Sequence, residues 1–257
     1  MQRRVIVSLT SFPAAITFAA GAVRSILNGS VKPDKVVLYL TFSQFPDGKV
    51  PSEIIKLTEE NPSFEVIDYE NDIRSYRKLI PALKDFPDDI IVTVDDDVYY
   101  HKNMLRDLLR LHRRYPDAII AHRVKRLRLG VSYRKWRKYR WYAFFIRDLR
   151  PKFGNIQTGV GGVLYPSGSL KSDMLNPEIF TKAAPTADDI WFWAAAVANG
   201  TKTAPVPFGR SKPRGLGKPK GLSLKKINVK SGVDVNRAVL ESIIEKYPII
   251  RERIENE

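Results

Sequence analysis

An apolar, β-branched run, Ile90-Ile91-Val92-Thr93-Val94, ends on three consecutive aspartates, Asp95, Asp96 and Asp97. With Asp89 in front and acids behind, the run fits an interior parallel strand covered on both faces. This constrains the fold, because helices must then cover both faces. In open α/β sheets ligands gather beyond the carboxyl ends of the strands. Three adjacent carboxylates repel one another and raise one another's pKa unless a cation or hydrogen-bond donors neutralise them. A divalent metal carrying a diphosphate is one such cation. The other reading is a plain acidic strand-to-turn junction, since Asp favours turns. The tripling, behind a strand this apolar, favours a metal–nucleotide site.

The surrounding pattern agrees with such a sheet. Strands are expected over 5–9, 35–40, 64–68, 90–94 and 118–122, and helices over 18–27, 52–60, 76–84 and 103–114. Pro51 and Pro62 suit a helix start and a stop. Met104, Leu105, Leu108, Leu109 and Leu111 make an apolar stripe opposed by Arg106, Asp107, Arg110 and Arg113. Alternating strands and helices predict an α/β fold with a mainly parallel sheet flanked by helices.

The second half reads differently. Residues 123–152 mix cations with Tyr133, Trp136, Tyr139, Trp141, Tyr142, Phe144 and Phe145. A glycine-rich strand over 157–166 carries Gly159, Gly161 and Gly162. Thr186-Ala187-Asp188-Asp189 opens an apolar helix over 190–198, closed by Asn199-Gly200. Thr186 or Asp188 is the expected N-cap. A strand follows near 203–206, and the C-terminal helix over 234–254 is interrupted at Pro248.

The formal net charge is +15, unevenly spread. Residues 123–152 hold 12 Lys/Arg and one acid, and residues 209–230 hold 8 Lys/Arg and none, which leaves the rest of the chain at −4. Two basic appendages on a mildly acidic body predict an anionic partner. There are no cysteines, so disulfides and thiolate metal sites are excluded. No apolar stretch approaches the roughly 18 residues of a membrane helix, and the start of the chain does not read as a signal peptide. The expected location is cytoplasmic, with peripheral contact at the inner face of the cell membrane.

Taken in order, segments 5–13, 72–83, 89–100, 159–166 and 186–200 resemble the GT-A fold glycosyltransferases. The resemblance is greatest to the family-2-like bacterial enzymes of capsule and surface-polysaccharide synthesis. Each motif is short, and the resemblance rests on their order over most of the chain. It implies one GT-A domain over 1–257. Within it lie a nucleotide-sugar half (1–122), a basic insertion (123–152), an acceptor half (153–208), and a basic loop with a C-terminal helix (209–257). It also implies metal-dependent, inverting transfer from a nucleotide sugar, a UDP-sugar in first place, to a glycan or lipid-linked acceptor. Mn²⁺ or Mg²⁺ would be the cofactor.

The resemblance implies roles residue by residue. The acid run resembles the DxD motif, with Asp97 as metal ligand and Asp95 as its companion. Asp95 or Asp96 would contact ribose or a metal-bound water. Asp188-Asp189 resembles the acid pair opening the acceptor-side helix, with Asp189 the expected base and Asp188 its reserve. A carboxylate within hydrogen-bond reach can take the proton an attacking hydroxyl loses, although Asp in a first turn also serves as a cap. Residues 72–79 resemble the segment where a Lys or Arg meets the nucleotide, with Lys78 first, Arg74 second and Asp72 beside them. Thr10, Ser11 and Phe12 lie where base and ribose would sit. Gly159, Gly161 and Gly162 would let a sugar approach bare backbone, or mark a bulge or turn with no ligand. His122-Arg123 could touch a donor phosphate or serve a structural role. One departure stands out: no His follows Asp189 to act as a further metal ligand.

The basic, aromatic segment suits a membrane surface, single-stranded nucleic acid, or an acidic glycan or lipid-pyrophosphate acceptor. With the two acidic sites in view, membrane or acceptor binding is favoured over nucleic acid. Residues 210–230 are a candidate lid over the diphosphate. The alternatives to a transferase are a non-catalytic nucleic-acid- or membrane-binding protein and a sugar nucleotidyltransferase. The latter would want a glycine-rich loop after the first strand, and residues 8–16 contain no glycine.

Overall fold

A computed structural model describes residues 3–138, 149–207, 213–217 and 234–257. In chain order the first elements are β1 (Val5–Thr10), α1 (Ile16–Leu27), β2 (Lys35–Leu40), α2 (Ser52–Glu60) and β3 (Phe64–Asp68). There follow α3 (Ile80–Asp85), β4 (Ile90–Thr93), β5 (Val98–Tyr99), α4 (Met104–His112) and β6 (Ile119–Ala121). Next come β7 (Val124–Arg126), β8 (Arg137–Lys138), β9 (Asn155–Gln157), β10 (Val163–Tyr165), α5 (Pro177–Ala183) and α6 (Asp188–Asn199). The last are β11 (Thr203–Pro205), β12 (Arg214–Gly215), α7 (Val235–Lys246) and α8 (Ile249–Glu255).

Seven strands form one sheet in the order β11-β6-β10-β4-β1-β2-β3. β1 is parallel to both β2 and β4, β2 to β3, and β6 to β11. Only β10, between β4 and β6, runs antiparallel. Both faces are covered, and all four residues of β4 are buried. Ile6, Val37, Tyr39 and Ile91 face one core, while Val7, Leu9, Val36, Leu38 and Val92 face the other. On that second face α1 buries Ile16, Ala19, Ala20, Val23 and Ile26, at the three-and-four spacing of one helical stripe. α6 lies on the first face with every residue from Ile190 to Ala198 buried. A helix apolar all round belongs inside the molecule. It ends at Gly200, whose φ of 90° supplies the left-handed turn that L-residues resist.

The expected mixed α/β architecture is present, with adjustments at element ends. The helix expected over 76–84 is split. Arg74–Lys78 is a 3₁₀ turn, and α3 starts beyond it with Pro81 in its first turn. Proline is at home there, where its missing N–H costs nothing, but disfavours helix immediately before it. The break at Pro248 is found as expected, between α7 and α8. The N-cap of α6 is neither Thr186 nor Asp188 but Ala187, which makes no side-chain cap bond. Both aspartates are therefore first-turn residues.

The basic segment is in part a folded element. β7 pairs with β8 and β9 in a small antiparallel sheet. Trp136, expected among rings at a surface, is buried at 3 % exposure, with its indole N–H donating to Val131 O at 2.9 Å. Tyr133 packs edge-on to it at 4.9 Å, and the Lys125 ammonium lies 3.2 Å from the Tyr133 ring centre. These rings serve the core because β9 leads directly into the glycine-rich segment, and its neighbour β7 must be covered. Tyr139, Trp141, Tyr142, Phe144 and Phe145 lie outside the described residues, as does most of 209–230. Among the described residues, no helix is long and apolar enough to cross a membrane.

Candidate active site

The carboxyl ends of β1 and β4 lie side by side, and each delivers polar residues to one edge of the sheet. From β1, Ser11 Oγ donates to Asp96 Oδ2 at 2.6 Å. Thr10 and Ser11 are in turn held by Arg77, which the 3₁₀ turn tucks beneath them at 2 % exposure. The Arg77 guanidinium donates from Nε to Thr10 Oγ1 at 2.9 Å, from Nη2 to Ser11 O at 3.3 Å, and from Nη1 to Thr41 Oγ1. Burial lowers its pKa, against the pull of Asp72 and Asp68. Nothing in the sequence marks Arg77 apart from its neighbour Lys78.

From β4 come the three aspartates, and the structure separates their surroundings. Asp96 is buried against Ser11. The backbone N–H of Asp95 donates to Tyr100 Oη at 2.7 Å, and its carboxylate meets Lys78 Nζ at 3.1 Å. Asp97 keeps partial exposure, and its carbonyl accepts from Leu216 N at 2.8 Å. That bond continues the short pairing of β12 with β5, so part of the second basic segment lies beside the acid run.

Lys78 links this edge to the other acidic pair. Its ammonium lies 3.0 Å from Asp188 Oδ2, and its side chain is only 9 % exposed. Burial alone would lower its pKa, but Asp188, Asp95 and Asp189 together raise it well above the ordinary lysine value. Asp189, the next residue along α6, accepts a hydrogen bond from Gly159 N at 3.1 Å. Its pKa is raised to about 7, first by burial, then by Asp188 and also by Asp95, with Lys78 and the Gly159 N–H opposing. A carboxylate tuned near neutrality is what proton abstraction at neutral pH requires.

The glycine-rich segment is not the continuous strand expected over 157–166: Gly159–Gly161 is a 3₁₀ turn between β9 and β10, and it passes directly over this cluster. A Cβ on Gly159 would sit 2.8 Å from Lys78 Nζ and 2.9 Å from Asp95 Oδ1, so a methyl there would push on the ion pair. Gly161 lies against His122, where a Cβ would come within 2.8 Å of the His122 Cβ. Gly162 has φ +91° and backs onto Met104 Sδ. Close backbone approach thus accounts for Gly159 and Gly161, and positive φ for Gly162, before any ligand is considered.

Other expected residues are held elsewhere. The Asp72 carboxylate accepts from Arg74 N at 3.0 Å and from Gln44 Nε2 at 2.9 Å, forming a turn in which Arg74 takes φ 52°. Those bonds run within the turn and to Gln44, not to the acid run. Phe12 is half-buried beside Ser11, and Phe12 O accepts from Ala15 N at 2.9 Å. His122 is half-buried, with Nε2 3.0 Å from Met104 O and its pKa lowered by burial. Arg123 is half-exposed, and its carbonyl accepts from Thr158 N at 2.9 Å.

Among the described residues, no trio of His, Asp and Glu side chains is arranged to hold a metal ion by itself. The residues do fit an ion that brings its own oxygens, because Mg²⁺-like ions bound with phosphates need only one or two carboxylates. Asp97 and Asp95, at the carboxyl end of β4, are the residues that would hold such an ion.

Comparison with known proteins supports the architecture. No protein-family model matches the sequence, and no curated protein does. Among solved structures, the chain is similar over its whole length to the mannosyltransferase PcManGT from Pyrobaculum calidifontis, solved in complex with GDP-Man and Mn²⁺. The TM-score is 0.55, with 13% sequence identity and 75% of that chain covered. It also matches S. aureus TarS 1-349 at TM-score 0.47 and 11% identity, over 95% of this chain and 70% of that one. The chain therefore shares the mixed α/β fold, with a mostly parallel central sheet, of that mannosyltransferase structure.

Proposed function

We propose that this protein is a metal-assisted, inverting glycosyltransferase. It would move a sugar from a nucleoside-diphosphate sugar to a glycan or lipid-linked acceptor in surface-polysaccharide synthesis. The observation that carries this reading is the placing of the aspartates after β4 and Asp189 on either side of one glycine turn, with Asp189 raised to about 7. A transferase needs both halves: one to hold a diphosphate and one to take a proton. The similar mannosyltransferase was solved with GDP-Man and Mn²⁺, which supports a nucleotide sugar and a divalent ion. For the donor we retain a UDP-sugar as first choice, with GDP-sugars tested beside it.

In this mechanism Asp189 Oδ accepts the acceptor hydroxyl proton as that oxygen bonds to the anomeric carbon. The bond from that carbon to the diphosphate breaks, and its electron pair leaves with the diphosphate. Asp97, with Asp95, would hold a divalent ion, which when bound stabilises charge on the leaving diphosphate. Ser11 fixes Asp96, and Arg77 fixes Thr10 and Ser11, so the edge that meets the nucleotide is set before it arrives. The Gly159 N–H keeps the Asp189 carboxylate aimed at the cleft.

Isothermal titration with UDP- and GDP-sugars, with and without Mn²⁺, tests the proposal. One nucleotide sugar should bind only with metal, and Asp97→Ala should abolish that binding. Unchanged affinity in Asp97→Ala would remove the metal assignment, and no binding by any nucleotide sugar would remove the function.

A further inference from the structure

We infer that Lys78 is a resident cation: its ammonium occupies the place between Asp95 and Asp188 to which a divalent ion would otherwise be drawn. The nucleotide-free protein then holds no such ion there. The inference deepens the reading above and takes from it only the identity of the site.

The geometry carries it. Lys78 Nζ lies 3.1 Å from Asp95 Oδ1 and 3.0 Å from Asp188 Oδ2. These carboxylates come from opposite sides of the site, one after β4 and one at the start of α6. Asp189 contributes a third negative charge close by. Gly159 closes the top, where a methyl would push on the ion pair. Two carboxylate oxygens facing one enclosed point from opposite sides, with the potential of Asp189 added, make a place that attracts a divalent cation. Here a single positive charge on a fixed stem stands at that point. A lysine needs no diphosphate to keep it there, and a buried ammonium facing two carboxylates is costly to remove. Asp95 is thereby half committed, and an ion arriving with a nucleotide must rely on phosphate oxygens and Asp97.

The test is electron paramagnetic resonance of Mn²⁺ titrated into the full chain with no nucleotide or sugar present. Wild type should leave the free-ion signal unchanged. Lys78→Met keeps the length of the side chain and removes its charge. It should bind Mn²⁺ roughly tenfold or more tightly than wild type, and Lys78→Met/Asp188→Asn should lose that gain. Lys78→Arg should behave as wild type. Wild-type Mn²⁺ binding that disappears in Asp95→Asn would overturn the inference, as would a folded Lys78→Met variant with no gain. If circular dichroism shows Lys78→Met unfolded, the wild-type and Asp95→Asn titrations decide alone, because a resident cation requires both to leave the signal unchanged. Since no nucleotide sugar is used, this result stands or falls separately from the transferase reading.

Discussion

Asp188 and Asp189 are neighbours in the chain with opposite fates. Asp188 turns to Lys78 and Asp189 to a single backbone N–H. The second is therefore the carboxylate with a proton to exchange near neutrality. Asp189→Asn should leave donor affinity intact in calorimetry and slow transfer about 10²–10⁴-fold. Wild-type turnover should climb as pH rises through about 7, where Asp189 loses its proton. A flat profile across that range would move the base elsewhere. Stability should respond in the opposite sense. A carboxyl whose pKa is raised by folding holds its proton more tightly when native. Its contribution is full below the ordinary carboxylate range and is lost as pH rises towards about 7. Gly159→Ala would press a methyl onto the Lys78–Asp95 contact and should cost about 1–3 kcal/mol of unfolding free energy. A neutral result in chemical denaturation would mean the glycine turn yields more than its contacts suggest.

At the scale of elements, α6 is the one on which the site depends. Its buried faces fix its axis, and its first turn delivers both aspartates. The far end is held by Gly200 and by Arg253 of α8, which donates to Val197 O. Gly200→Ala should cost about 1 kcal/mol, read as a lowered melting temperature, because φ of 90° suits only glycine without strain. Much of this element was legible in the sequence: an apolar stretch with acids before it and Asn-Gly behind. Its N-cap was not, because Ala187 offers no capping side chain to recognise. The split at residues 74–85 was half legible, since Pro81 signals a helix start but cannot announce a 3₁₀ turn before it. The Lys78–Asp188 contact spans 110 positions and leaves no local periodicity to read. Arg77 is hidden for the same reason, because its partners Thr10 and Thr41 lie on other strands.

For the whole molecule, the charge distribution sets the remaining expectation. The +15 total rests on two segments, 123–152 and 209–230, attached to an otherwise mildly acidic chain. Residues 213–217, from the second, lie along β5 just past Asp97. Positive charge beside the acid run favours approach to an anionic surface. Co-sedimentation with phosphatidylserine vesicles should therefore fall steeply as salt rises and the Debye length shrinks below about 10 Å. Binding indifferent to salt would assign those segments another role. The scaffold beneath is tied together at long range. Asp234, the N-cap of α7, accepts from Ser132 Oγ at 2.7 Å and from Tyr133 N at 2.8 Å. The C-terminal helices and the small sheet thus brace one another.

One further consequence lies in the tryptophans. Trp191 and Trp193 sit two and four residues beyond Asp189, both fully buried. Their indole N–H groups are fixed to Met174 O at 2.8 Å and Phe153 O at 2.7 Å. The helix that presents the proposed base therefore carries its own optical probes. Their emission would report any displacement of α6 when ligands enter, without dye or label.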